Sequence, residues 1–94
     1  MLTTIEVTQE HINKGIQEHA CACPVALAIA PLLRDGLRPH VFTDDVEIRS
    51  SDTRRRKGVV YPPEYVGRKI EQYDDDEGME PFSFQMNIPE GLLR

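Results

Sequence analysis

The sequence predicts a single small α+β domain over residues 1–94, an antiparallel sheet with two to three helices packed on one face. Segments with the two-residue apolar alternation of strands stand at the two ends of the chain and in its middle. Segments with helix-start residues and helical apolar spacing separate them. No internal repeat or linker divides the 94 residues. The predicted order of elements is therefore β-α-α-β-β-α-β.

The first two elements are a strand over residues 2–8 and a helix over residues 9–20. Apolar and polar side chains alternate along the strand segment. Thr8 suits the N-cap of the helix that follows, and Glu10 in its first turn suits the helix dipole. One apolar stripe at four-residue spacing is expected on this helix: Ile12, Ile16 and Ala20.

The next element is a buried helix that begins at Cys23-Pro24. Proline is favoured at the first helical position, where its missing N–H has no partner to lose. Residues 25–30, VALAIA, contain no polar side chain, which predicts burial on nearly all sides. Pro31 should kink this helix or end it one turn early, and Asp35-Gly36 is a stop signal.

The second half of the chain alternates strand and helix candidates: strands over residues 38–43 and 46–50, a short apolar strand over 59–61, a helix over 62–73 and a strand over 81–89. Residues 50–58 are expected to form a polar loop. The last strand has the cleanest two-residue period in the chain and predicts one buried face. Its inward side chains are expected to be Phe82, Phe84, Met86 and Ile88.

Composition excludes several classes of protein. Sixteen acidic and eleven basic residues give a formal net charge of −5, which argues against direct nucleic-acid binding. No stretch reaches the roughly 18 apolar residues of a membrane span, and no signal region is expected at the N-terminus. Two cysteines one residue apart suit reduced thiols and a cytoplasmic location. No complete catalytic constellation is present, so an enzyme is not expected.

His19, Cys21 and Cys23 form the densest group of metal-ligating residue types. They have three interpretations: zinc ligands, with His11 or His40 as the fourth ligand; a thiol activated at a helix N-terminus; or small side chains packed at the start of a helix. The one-residue spacing of the cysteines is not typical of a zinc site. We therefore expect packing at the helix start, with no metal and no cofactor.

Two charged segments are the candidate contact surfaces. The basic segment, residues 54–57, suits phosphates or an acidic protein partner. The acidic segment lies within residues 71–80 and suits a basic surface, such as a nucleic-acid-binding groove of a partner protein. The predicted partner-binding residues are Arg54, Arg55, Arg56 and Lys57, with Glu71, Asp74, Asp75, Asp76, Glu77 and Glu80.

Two short motifs, VTQEHI at residues 7–12 and CPVALAIA at residues 23–30, resemble small uncharacterised proteins of bacteriophages and prophages. The similarity lies mainly within residues 5–30 and transfers no functional residue. It implies a bacterial cytoplasm as the place of action. It also implies a role among phage proteins that inhibit host defence complexes, as anti-CRISPR proteins do.

The function expected from the sequence is a non-enzymatic interaction protein that inhibits a host defence complex through its charged segments. Its partner would be a host protein, or a protein–nucleic-acid complex, with a basic surface; a homo-oligomer is a further option. The alternative is a small nucleic-acid-binding or metal-associated accessory protein. That alternative would use Arg54–Lys57 or the cluster of His19, Cys21 and Cys23.

Overall fold

A computed structural model of the chain describes residues 1–94 and confirms the α+β class. The strands are β1 (Leu2–Val7), β2 (Leu37–Val41), β3 (Val46–Ser50), β4 (Arg56–Val60) and β5 (Phe82–Asn87). The helices are α1 (Gln9–Lys14), α2 (Pro24–Ile29) and α3 (Glu64–Asp74), and two short 3-10 turns cover Ala30–Leu32 and Glu90–Leu92. None of the helices has the length and apolar character that crossing a membrane requires.

The strands form two antiparallel sheets where one was expected. β1 pairs with β5, and β2, β3 and β4 form a second sheet in that order. β4 also begins earlier than the predicted strand at residues 59–61, so the predicted loop over 50–58 ends at Arg55. β4 lies at the edge of its sheet, where long basic side chains such as Arg56 and Lys57 remain in solvent without disturbing the pairing.

The core lies between the two sheets and around α2. Eighteen apolar residues are buried in one cluster, and no polar or charged side chain is buried. α2 packs against both β1 and β2, and Val25, Ala26 and Ile29 have no exposed surface. It begins at Pro24 and passes into the 3-10 turn that contains Pro31, so the predicted buried helix and its early end are confirmed.

The alternation along the terminal strands is also confirmed. In β5 the side chains of Phe84 and Met86 are buried and those of Ser83 and Gln85 are exposed. Ile88, just after the strand, is fully buried, and Phe82 at its start is partly buried. β1 shows the same two-residue period, and its buried residues Ile5 and Val7 pair with Phe84 and Phe82 of β5.

The helix predicted over residues 9–20 is wrong in its second half. α1 has the expected Thr8 cap and ends at Lys14, and Ile16 is 54% exposed. Gly15 turns the chain there because it lies directly against Pro24 and the Tyr73 hydroxyl group, leaving no room for a Cβ atom. That hydroxyl shares its single proton between the carbonyl oxygens of Gly15 and Ile12, at 2.9 and 3.3 Å. These are carbonyl groups that have no partner within the helix at its C-terminal end.

α3 lies close to the turn between β2 and β3. Gly67 is buried in the middle of the helix, and a Cβ atom there would stand 2.2 Å from the backbone oxygen of Thr43. Elsewhere on α3, the Lys69 ammonium group lies 4.9 Å from the centre of the Phe82 ring on β5. The absence of a side chain at Gly67 therefore sets how closely α3 approaches the sheet.

Candidate functional site

A basic cleft lies where the loop between α1 and α2 meets β2, β3 and the β3–β4 turn. It has a volume of about 320 Å³. Three arginines, two histidines and a cysteine line it, and among its remaining wall residues are two serines, Ser50 and Ser51. We call this cavity the basic cleft. The six lining residues with basic or thiol side chains are Arg38, Arg49, Arg54, His19, His40 and Cys21.

Strand register brings most of the charged groups together. Arg38 and His40 stand two residues apart on β2 and share a face. The β2–β3 pairing places Arg38 opposite Arg49 and His40 opposite Glu47. Like charges directly opposite on neighbouring strands are destabilising, so this arrangement is not explained by sheet stability.

The positive charge of Arg49 is partly compensated by a carboxylate of the same chain, whereas the charge of Arg38 is not. The guanidinium of Arg49 donates to one Glu47 carboxylate oxygen through Nε and Nη2, at 3.1 and 2.9 Å. The side chains of Arg38 and Arg54 make no hydrogen bond and no ion pair in the chain. The donors of two guanidinium groups in the cleft are therefore free to bind a ligand.

The basic segment contributes only its first residue to the cleft. Arg54 has a φ of 61°, in the left-handed region that non-glycine residues rarely adopt. Its backbone N–H donates to the Ser50 carbonyl oxygen at 2.9 Å, which holds the β3–β4 turn in this conformation. Arg55, Arg56 and Lys57 are exposed outside the cleft and form no ion pair.

His40 connects the loop before α2 to the arginines. Its Nδ1 lies 3.3 Å from the Cys21 sulfur and 3.3 Å from Nη1 of Arg49. A guanidinium group only donates, so Nδ1 must accept from Arg49, and the ring proton of neutral His40 is on Nε2. Burial lowers the pKa of His40, and the positive charges of Arg49 and Arg38 lower it further.

Acidification is expected to destabilise the fold through His40. Because its pKa is lowered in the folded protein, the unfolded chain takes up this proton more readily. The resulting loss of folding stability is absent well above a pH of about 6.5 and grows as the pH falls below that value. Urea unfolding at pH 7.5 and 5.5 should show a smaller loss of stability for His40→Gln than for the wild type. Equal losses in the two proteins would contradict this assignment.

The structure does not gather His19, Cys21 and Cys23 around one point. His19 and Cys21 line the basic cleft, whereas Cys23 is buried at the start of α2. No three His, Cys, Asp or Glu side chains converge in a way that suits a metal ion. Burial raises the pKa of the Cys23 thiol, and this outweighs the backbone N–H groups of Ala26 and Val25, which lower it. A raised pKa does not suit an activated thiol, and the burial of Cys23 in the core cluster confirms that it packs at the start of α2.

The acidic segment divides into two groups at the end of α3. Asp74 accepts a hydrogen bond from the Glu18 backbone N–H at 2.9 Å, and Asp76 accepts one from the Gln17 amide. These two hydrogen bonds hold the loop that follows α1 against the end of α3. The other four are exposed and have no ion pair: Glu71, Asp75, Glu77 and Glu80.

Sequence reasoning missed Arg38 and Arg49, and it considered His40 only as a fourth zinc ligand. The available signal was the turn at Asp44-Asp45: a four-residue connection between residues 41 and 46 fixes a register in which Arg38 meets Arg49. Comparison with known proteins adds no relative from which a site can be transferred. No protein-family model, curated protein or solved structure matches this chain.

Proposed function

We propose that this chain is a non-enzymatic interaction protein that binds an anionic group of its partner in the basic cleft. The observation that carries the proposal is the placement of Arg38 directly opposite Arg49, with Arg54 beside them. This cluster occurs on a chain whose formal net charge is −5. Concave basic sites of this kind raise the local concentration of anions and speed their association.

The cleft contains two features that reduce stability. Arginines that face one another in register repel, and the left-handed backbone at Arg54 is strained. Strain and like-charge clusters are found where function requires them, because stability alone favours their removal. An anion in the cleft would relieve the repulsion between the guanidinium groups, which gives it a reason to bind there.

The resemblance of residues 7–12 and 23–30 to phage proteins supplies the biological setting of the proposal. In that setting the partner is a host defence complex in a bacterial cytoplasm, and this chain inhibits it in the manner of an anti-CRISPR protein. The free carboxylates at the end of α3 are a second candidate surface, suited to a basic partner. The observation that favours it is their position at a helix C-terminus, where the dipole is already negative.

Two charge variants separate these surfaces once a partner has been isolated from host lysate. The first is Arg38→Gln with Arg54→Gln. The second replaces the four unpaired carboxylates with their amides and leaves Asp74 and Asp76 intact. Because hydrogen bonds to charged groups contribute about 1.5–3 kcal/mol each, the first variant should weaken binding at least tenfold. The second should bind as the wild type does.

The matched control is Arg34→Gln with Arg68→Gln, which removes two positive charges from exposed positions outside the cleft. It should retain affinity at low salt, although association will slow slightly for any loss of net positive charge. Loss of binding in the carboxylate variant alone would show that the partner contacts the acidic surface and not the basic cleft. Wild-type affinity in both test variants would contradict both electrostatic contacts.

A further inference from the structure

We infer that the anion bound in the basic cleft is a phosphate monoester carried on a serine or threonine side chain of the partner. This inference rests on the proposed function and specifies its ligand. The cleft combines guanidinium donors without internal partners, the imidazole of His40, whose Nε2 lies 3.5 Å from the Cys21 sulfur, and the hydroxyl groups of two serines. One guanidinium group can donate two parallel hydrogen bonds to phosphate oxygens. Hydroxyl and imidazole N–H groups donate to the oxygens that remain.

The charge of the cleft fits a phosphate monoester better than a carboxylate. Three guanidinium groups and the single carboxylate of Glu47 leave two positive charges, with His40 neutral. A phosphorylated side chain carries about −1.5 to −2 charges near neutral pH, whereas an aspartate or glutamate side chain carries one. A carboxylate would therefore leave one arginine uncompensated in the cleft.

The walls of the cleft argue against nucleotides and nucleic acid. Its volume of about 320 Å³ is lined by no Phe or Tyr side chain on which a base could stack. Proteins that bind single-stranded nucleic acid supply such aromatic platforms, and they align a series of positive charges with the phosphate backbone. Here the positive charges line one small cleft, as the recognition of a single phosphate group requires.

The test is a titration of the purified full chain, followed through the His40 ring signals by NMR and through binding heat by calorimetry. The probe is N-acetyl-phosphoserine amide, and the comparison ligands are N-acetyl-aspartate amide, AMP and an oligothymidylate without terminal phosphate. The phosphoserine probe should shift the His40 signals and saturate, with an affinity at least tenfold above that of each comparison ligand. Arg38→Gln and Arg54→Gln should each weaken it at least tenfold, and Arg34→Gln should leave it unchanged.

Thermal unfolding of each variant establishes that it is folded before its affinity is compared. Equal or tighter binding of AMP or the oligothymidylate would overturn the inference in favour of a nucleotide or nucleic acid. Equal binding of the aspartate probe would overturn it in favour of a carboxylate. If no probe binds while the Arg38/Arg54 variant still loses the isolated partner, this inference fails and the proposed function stands. If that variant keeps its partner, the proposed function itself fails.

Discussion

Gly67→Ala is expected to destabilise the domain by about 3 kcal/mol or more, although alanine is the better helix former by about 1 kcal/mol. The added Cβ atom would stand 2.2 Å from the Thr43 carbonyl oxygen and 3.1 Å from its carbon. These are backbone atoms, so no side-chain rotation relieves the clash. α3 must move away from the β2–β3 turn, and the contacts of Val66 and Ile70 with the core weaken.

Equilibrium urea unfolding measures this loss, and Gly91→Ala is the matched control. Gly91 has open space around its Cβ position, so the same substitution should change stability by less than about 1 kcal/mol there. A Gly67→Ala protein as stable as the wild type would show that α3 does not approach the turn as closely as the structure has it.

Phe84→Ala is expected to cost about 3–5 kcal/mol, the range for large aromatic side chains removed from a core. Phe84 is 3% exposed, lies opposite Ile5 in the β1–β5 register and stacks on Phe82 with ring centres 5.9 Å apart. A small domain has a total stability of only about 5–15 kcal/mol, so this variant should be partly unfolded on mild heating.

Gln85→Ala is the control for Phe84→Ala, since Gln85 is the next residue on the same strand and faces solvent. Its melting temperature should stay within a few degrees of the wild type. An unchanged melting curve for Phe84→Ala would contradict the placement of this face of β5 in the core.

Elements with a strong local pattern could be predicted from the sequence. The alternation in β5 follows from the geometry of a strand with one buried face, and the start of α2 follows from proline at its first position. The end of α1 could not be predicted in this way. It depends on Gly15 meeting Pro24 and Tyr73, and Tyr73 stands 58 residues further along the chain.

The basic cleft could not be predicted from the sequence for a related reason. Its arginines are isolated in the sequence and meet only through the register of β2 with β3 and the fold of the turn before β4. A run of four basic residues was the visible signal, yet only Arg54 of that run lines the cleft. The acidic run shows the same limit, because Asp74 and Asp76 serve the loop after α1 while their neighbours remain in solvent.

The two sheets should form at different times during synthesis of the chain. β2, β3 and β4 are joined by short turns and can pair as each strand leaves the ribosome. β1 instead pairs Leu2 with Asn87 and Val7 with Phe82, so it has no strand partner until β5 has been translated. Closing a loop of this length costs entropy before any contact is gained, which slows folding. Until β5 emerges, the hydrogen-bonding edge of β1 therefore stays unpaired, and chaperones that bind unpaired strands would meet the nascent chain there.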